Sequence, residues 1–416
     1  MDLKEIKLNT EQQIVAQHAK VNKIVESNQE KVLHAFQKLR VSDSHFNPTT
    51  GYGYDDFGRD TLEALYAEIF DAEDALVRPQ LISGTHAITT ALFGVLRPGD
   101  ELLYISGEPY DTLEEVIGTS GTKDKGSLKD FGVTYQSVPL TAEGSFDEAK
   151  ISESVKSETK VVAIQRSKGY DDRPSFNIER IASIIKYVRS LKKDVIVFVD
   201  NCYGEFVETK EPLEVGADLI AGSLIKNPGG GITRIGGYIA GRESLIEQCS
   251  YRLTAPGLGK ETGASLNSLQ EMYQGIFLAP HIVGEALKGA IFSARFLDLL
   301  GFHTSPPFDA ERTDLIQSVN FETAEQMIRF CQTIQQASPI NSHVKPQPSA
   351  MPGYEDEVIM AAGTFIQGAS LELTADGPIR PPYTAFIQGG LTYAHVKIAV
   401  VNAAGQLIEE GMVKLD

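Results

Sequence analysis

Residues 195–241 read VIVFVDNCYGEFVETKEPLEVGADLIAGSLIKNPGGGITRIGGYIAG. Three apolar runs of strand length, VIVFVD, DLIAGSL and IGGYIAG, are separated by polar and glycine-rich stretches. Working back toward residue 75, further runs appear: LVRPQLIS, ELLYIS, VTYQSVPL and VVAIQR. Helical patterns such as IERIASIIKYVRSL lie between them. Alternation of this kind predicts an α/β domain whose seven-stranded, mostly parallel sheet is covered by helices on both faces.

On the N-terminal side, Thr10 with Gln13 has the spacing of a capping box, and apolar residues recur at helical intervals from Ile14 to Phe36. A helical arm to about Arg40 is expected. The segment SDSHFNPTTGYGYDDFGRD has no apolar period and reads as a long functional loop, after which Asp60 and Glu63 open a helix through Phe70. Beyond Arg242 come a long helical stretch, the Pro-rich SPPFDAER, and then helix, strands and a last helix. This predicts a smaller α+β domain. The expected division is an arm over 1–44, a large domain over 45–260 and a small domain with its connecting helix over 261–416.

The 416 residues exceed one core of usual size. Lys and Arg number 38 against 56 Asp and Glu, a net charge of −18 that repels nucleic-acid and anionic membrane surfaces. A local basic pocket for a small phosphate remains compatible with it. Three cysteines without CxxC spacing argue against a disulfide framework or zinc ribbon, and no metal site is expected. The N-terminal residues lack a signal-peptide core, and no stretch reads as a membrane span, so a cytoplasmic protein is expected.

In an open α/β sheet, ligands bind beyond the carboxyl ends of the strands. Ser83, Gly84 and Thr85 end one run and open a helix, a combination of hydroxyls and N–H groups that suits a phosphate. The alternative is simple helix capping. Lys226, after DLIAGSLI, would lose hydration; its pKa would fall, leaving an amine suited to Schiff-base chemistry. Otherwise it snorkels to the surface. The following Asn-Pro-Gly-Gly-Gly would let backbone pass close to a ligand. Asp200, ending VIVFVD, could hold a pyridine nitrogen protonated, bind Mg²⁺ or cap a helix. Phosphate turn, aspartate, then lysine 26 positions later is the order found in fold-type-I pyridoxal-phosphate enzymes.

The runs VDNCYGEFVE, GADLIAGSLIKNPGGGITRIGGYIAG and ISGTHAITTALFGVLRPGDELLYISGEPYDTLEEVIG together resemble the methionine gamma-lyase-like, or aluminium-resistance, family. The resemblance extends from GYGYDDFGRDTLE to DGPIRPPYTAFIQGG and implies the fold-type-I architecture with pyridoxal phosphate as cofactor. It implies Lys226 as the aldimine lysine, Asp200 as partner of the pyridine nitrogen, and Ser83, Gly84, Thr85 and Ser223 as phosphate ligands. Tyr110 would stack on the ring, with His86 as the competing candidate. Tyr54 and Arg59 would reach a neighbouring subunit's phosphate, implying a homodimer or homotetramer, or else only order their loop. Arg380 would take the substrate carboxylate and Arg166 would help near the cofactor; either could instead make a structural ion pair. The sequence departs from the Cys/Met-metabolism enzymes at Asn-Pro-Gly-Gly-Gly and at Gln165-Arg166-Ser167, which bears on substrate and reaction.

The implied activity is carbon–sulfur lysis of cystathionine, cysteine or methionine by β- or γ-elimination. Aldolase, aminotransferase or decarboxylase chemistry would use the same residues. A cofactor-bound, non-catalytic stress protein is the rival from another class. A Mg²⁺-dependent nucleotide enzyme is disfavoured because no GxxxxGK[ST] or GxGxxG follows a strand.

Overall fold

The computed structural model describes residues 2–169, 173–351 and 356–414. The seven apolar runs form seven strands: β1 (Asp74–Arg78), β2 (Glu101–Tyr104), β3 (Thr134–Ser137), β4 (Thr159–Gln165), β5 (Ile196–Asp200), β6 (Leu219–Ser223) and β7 (Gly237–Gly241). They are ordered β1-β7-β6-β5-β4-β2-β3, with β7 antiparallel to both neighbours and the remaining pairs parallel. The runs are apolar almost throughout because both faces are covered. Val162, Ile164, Val197 and Val199 pack into a core shared with helices Phe57–Phe70, Ile178–Leu191 and Leu269–Leu299. Their neighbours Val161, Ala163, Ile196 and Phe198 face the opposite core, with helices Gly84–Val95 and Glu243–Leu253.

A second, antiparallel sheet follows: β8 (His303–Ser305), β9 (Gln317–Asn320), β10 (Val358–Ala361), β11 (Thr374–Pro378) and β12 (Thr384–Gln388), in the order β10-β11-β12-β9-β8. The 31-residue helix Leu269–Leu299 joins the two sheets. Contrary to the sequence expectation, this helix is long and apolar enough to cross a membrane. However, 67% of its most apolar window is buried within the protein. It is packed on several sides and leaves a polar stripe of Gln270, Gln274, His281 and Asp298 exposed.

The arm is two helices, Leu3–Gln13 and Val15–Lys38. Its capping box is Asp2 with Glu5, not Thr10 with Gln13. Thr10 lies buried inside the helix, its hydroxyl donating to the Ile6 carbonyl at 2.8 Å. The arm lies along the long helix, where Gln29 Nε2 donates to the Phe277 carbonyl at 3.1 Å. Asn28 Nδ2 donates to the Phe206 carbonyl at 3.0 Å, tying the arm to the large sheet's layer. The helix after the glycine-rich loop begins at Phe57, capped by Asp56 through the Arg59 N–H, three residues before the sequence expectation.

Candidate active site

The carboxyl ends of β4, β5 and β6 lie side by side, with Gln165 opposite Asp200 and Asp200 opposite Ala221. After β1 the chain turns through Ser83, whose extended backbone caps helix Gly84–Val95 and whose hydroxyl accepts the His86 N–H at 3.0 Å. The N–H groups of Gly84 and Thr85 lie in the first turn, where a helix supplies no acceptor. A Cβ at Gly84 would stand 3.1 Å from Ser223 Cβ, so glycine lets this helix terminus close onto the end of β6 without displacing Ser223.

These ends enclose a cavity of about 170 Å³ lined by Ser83, Gly84, Thr85, Tyr110, Asp200, Ser223 and Lys226, together with Gln165, Ser167, Cys202 and Tyr203 and apolar walls at Ile88, Leu113 and Ile225. Seven residues singled out in the sequence thus meet in one place. Hydroxyls and a helix terminus at one end, a carboxylate at another and an amine beside it suit a phosphorylated pyridine aldehyde. Among the described residues, Gln165 Oε1 is buried here without a partner, an acceptor free for an incoming donor.

Burial pushes the Asp200 carboxyl above its usual range, opposed by the nearby Lys226 charge and by the Cys202 N–H, which donates to Oδ1 at 3.1 Å. The Lys226 amine does not follow the sequence expectation. Burial lowers its pKa, but Cys202, Tyr203 and Asp200 outweigh that, and the net shift is upward. Its Nζ stands 4.0 Å from the centre of the Tyr203 ring. Tyr203 has a left-handed φ of 71° and escaped the sequence reading. An aromatic three residues beyond a strand-ending aspartate was its only signal.

The Asn-Pro-Gly-Gly-Gly turn is packed closely within the protein. A Cβ at Gly230 (φ 56°) would stand 2.3 Å from the Gly275 carbonyl oxygen, and one at Gly229 would overlap the Leu224 carbonyl. Gly230 lets the turn press against the long helix, and Gly229 lets it close on itself.

Other expected residues lie elsewhere. His86 accepts the Ile82 N–H on Nδ1 at 3.3 Å and does not line the cavity, whereas Tyr110 does. Arg166 is buried with its guanidinium held by Asn201 (2.9 Å), Glu211 (3.2 Å) and Glu208 (2.8 Å), so it is the structural ion pair and not a cofactor helper. Arg59 is likewise engaged within its own chain, donating to the carbonyls of Gly53 (2.7 Å) and Gly263 (3.1 Å) and pairing with Asp60. These bonds order the loop. Tyr54 is exposed and stacked on Tyr52 at 5.3 Å. Arg380 is exposed, pairs with Asp356 at 3.2 Å and does not line the cavity.

Behind Lys226 lies Glu205, fully buried, accepting the Tyr238 hydroxyl at 2.8 Å. Burial pushes its carboxyl up from 4.5 to about 8. The folded protein therefore holds a proton that the unfolded chain releases between those values, and stability declines as pH rises across that window. Glu205→Gln is expected to remove this decline. In urea titrations at roughly pH 5.5 and about pH 8.5, the parent should lose at least about 1 kcal/mol more than the variant. Equal losses would show that Glu205 is ionised when folded.

Comparison with known proteins agrees with this geometry. The methionine gamma-lyase family profile matches residues 3–408. An uncharacterised protein, YnbB, from Bacillus subtilis is 61% identical over 411 residues, covering 99% of this chain and 98% of that one. The structure of a carbon–sulfur lyase involved in aluminium resistance from Clostridium novyi superimposes with a TM-score of 0.94 at 50% identity, covering 97% and 96% of the two chains. The pyridoxal-5'-phosphate-dependent protein YhfS from Escherichia coli shares the fold at 15% identity, with a TM-score of 0.62 and coverage of 93% and 97%.

Proposed function

The chain belongs to the methionine gamma-lyase family, and from that premise we propose that it is a pyridoxal-phosphate-dependent carbon–sulfur lyase acting on a sulfur-containing amino acid. The observation that carries this reading is the single cavity uniting Ser83, Gly84, Thr85, Ser223, Asp200 and Lys226. The relative from Clostridium novyi, a carbon–sulfur lyase, supports the reaction class.

The first turn of helix Gly84–Val95 and the hydroxyls of Ser83, Thr85 and Ser223 would bind the phosphate. Asp200 would face the ring nitrogen, and the Lys226 amine would hold the aldehyde carbon. When bound, the cofactor supplies an electron sink for the α-carbon. Lys226 would take the α-proton and the Tyr110 hydroxyl would protonate the departing sulfur. Water then enters, so that one amino acid yields one thiol, one keto acid and one ammonia. Ile88, Leu113 and Ile225 limit solvent access from the walls.

Cytoplasmic residence and a homodimer or homotetramer are part of the proposal. Exposed Tyr52, Tyr54, Phe57, Ile82 and Leu266 support a subunit contact. Cofactor-loaded protein should release thiol and keto acid from at least one of cystathionine, cysteine and methionine. Glycine from threonine with no thiol from any substrate would establish an aldolase instead. A protein that takes up no pyridoxal phosphate would end the reading.

A further inference from the structure

A second cavity, of about 470 Å³, lies between the segment following β4 and the connection from β8 to β9. It falls in the size range of small-molecule sites. Arg312 lines it, is only 9% exposed, and among the described residues has no hydrogen-bond partner at Nε, Nη1 or Nη2. Native proteins rarely leave a buried cation in this state, because its lost hydration is not replaced. Asp314, whose charge acts on Arg312, makes no hydrogen bond to it and accepts from other donors. Asp314 Oδ2 accepts the Lys168 N–H at 3.2 Å and the Ser175 hydroxyl, while Oδ1 accepts the Ile316 N–H at 2.9 Å. Burial accordingly pushes the Arg312 guanidinium down to about 10, with Asp314 restoring only part.

Around Arg312 the charges of the described lining residues are balanced. Lys168, Arg173 and Arg180 also line the cavity, against Asp314 and two carboxylates, Glu143 and Glu311, that are exposed. Asn177 caps helix Ile178–Leu191 at this wall, accepting the Arg180 N–H at 2.9 Å, so a helix N-terminus adds partial positive charge. With Arg312 included, the described lining carries four cations against three carboxylates, in a chain of net charge −18.

We propose that this cavity is a binding site for a small anionic molecule, whose carboxylate or phosphate takes the planar fork of Arg312. Two oxygens of such a group match two parallel N–H donors, which an ammonium cannot offer. The site differs from the cofactor cavity, and one strip of chain separates them. Ser167 and Gly169 face the cofactor cavity while Lys168 lines this one. The inference does not depend on the proposed lyase activity.

The test is calorimetric titration of inorganic phosphate and of citrate into protein saturated with pyridoxal phosphate, in a buffer free of other polyvalent anions. The parent should bind at least one of them, and the preferred anion identifies the ligand as phosphate-like or carboxylate-like. Arg312→Met should weaken binding at least about tenfold, and Arg312→Lys should fall between the two. The cofactor's visible absorbance should be unchanged in both. Without added anion, Arg312→Met should melt no lower than the parent, since an unpaired buried charge has been replaced by a side chain suited to the interior. Absence of heat with both anions in the parent, or equal binding by parent and Arg312→Met, would overturn the proposal. If Arg312→Met does not fold, the same comparison is made with Arg312→Lys.

Discussion

Lys226→Ala is expected to reduce lyase turnover by at least about a thousandfold and to remove any cofactor adduct that borohydride can fix to the chain. The expectation follows from position. The amine leaves the turn after β6 beside Asp200 and Tyr203, and no other lysine lines that cavity among the described residues. Asp200→Asn separates two roles that Lys226→Ala loses together. An asparagine leaves the amine in place, so the adduct at residue 226 should survive, yet it cannot hold a ring nitrogen protonated, and turnover should fall by roughly a hundredfold or more. Mass spectrometry of the reduced protein and a thiol assay read the two effects independently. An adduct persisting in Lys226→Ala would move the Schiff-base role to another residue.

The largest effect on stability is expected at Glu63. Its carboxylate pairs with Arg78 at 2.5 Å, both side chains being 1% exposed, and it also accepts the Val77 N–H at 3.1 Å. Burial alone would raise the Glu63 carboxyl, but Arg78 and Lys260 more than offset this and hold it below its usual value. Arg78 in turn donates to the carbonyls of Thr262 (2.6 Å) and Lys260 (2.9 Å), tying the first strand to the chain beyond the large sheet. Glu63→Ala leaves that guanidinium buried with its charge unmatched, at a cost of about 3–5 kcal/mol in urea unfolding. Replacing both residues by apolar ones of similar size should recover most of the loss. The exposed Lys38–Glu68 pair is a useful contrast, because water already solvates both partners and its removal should change stability by less than about 1 kcal/mol. A loss of that small size in Glu63→Ala would mean that solvent reaches Arg78.

Much of the site was legible before any coordinates. Strand-length apolar runs ending in Asp200, Ser223 and Gln165 are local features, and a sheet buried on both faces leaves no polar alternation to confuse them. Ser83, Gly84 and Thr85 could be placed because a short polar turn between strand and helix has few conformations open to it. The reversed strand β7 was not legible, since an apolar run reads alike in either direction. The role of Gly230 was hidden for a related reason, because the surface it approaches belongs to a helix some 45 residues further along the chain.

The arginines mark the boundary most clearly. The sequence by itself determined the alternation of strands and helices, and the order of phosphate turn, Asp200 and Lys226, because these depend on neighbouring residues and on where each strand stops. It could not determine which guanidiniums were already engaged. Arg166 is held by Glu208 and Glu211, and Arg59 by Gly53 and by Gly263, two hundred residues away, whereas Arg312 has no hydrogen-bond partner among the described residues. Each of those outcomes depends on which distant segments are brought alongside, and only the packing of the two sheets and their long connecting helix decides that.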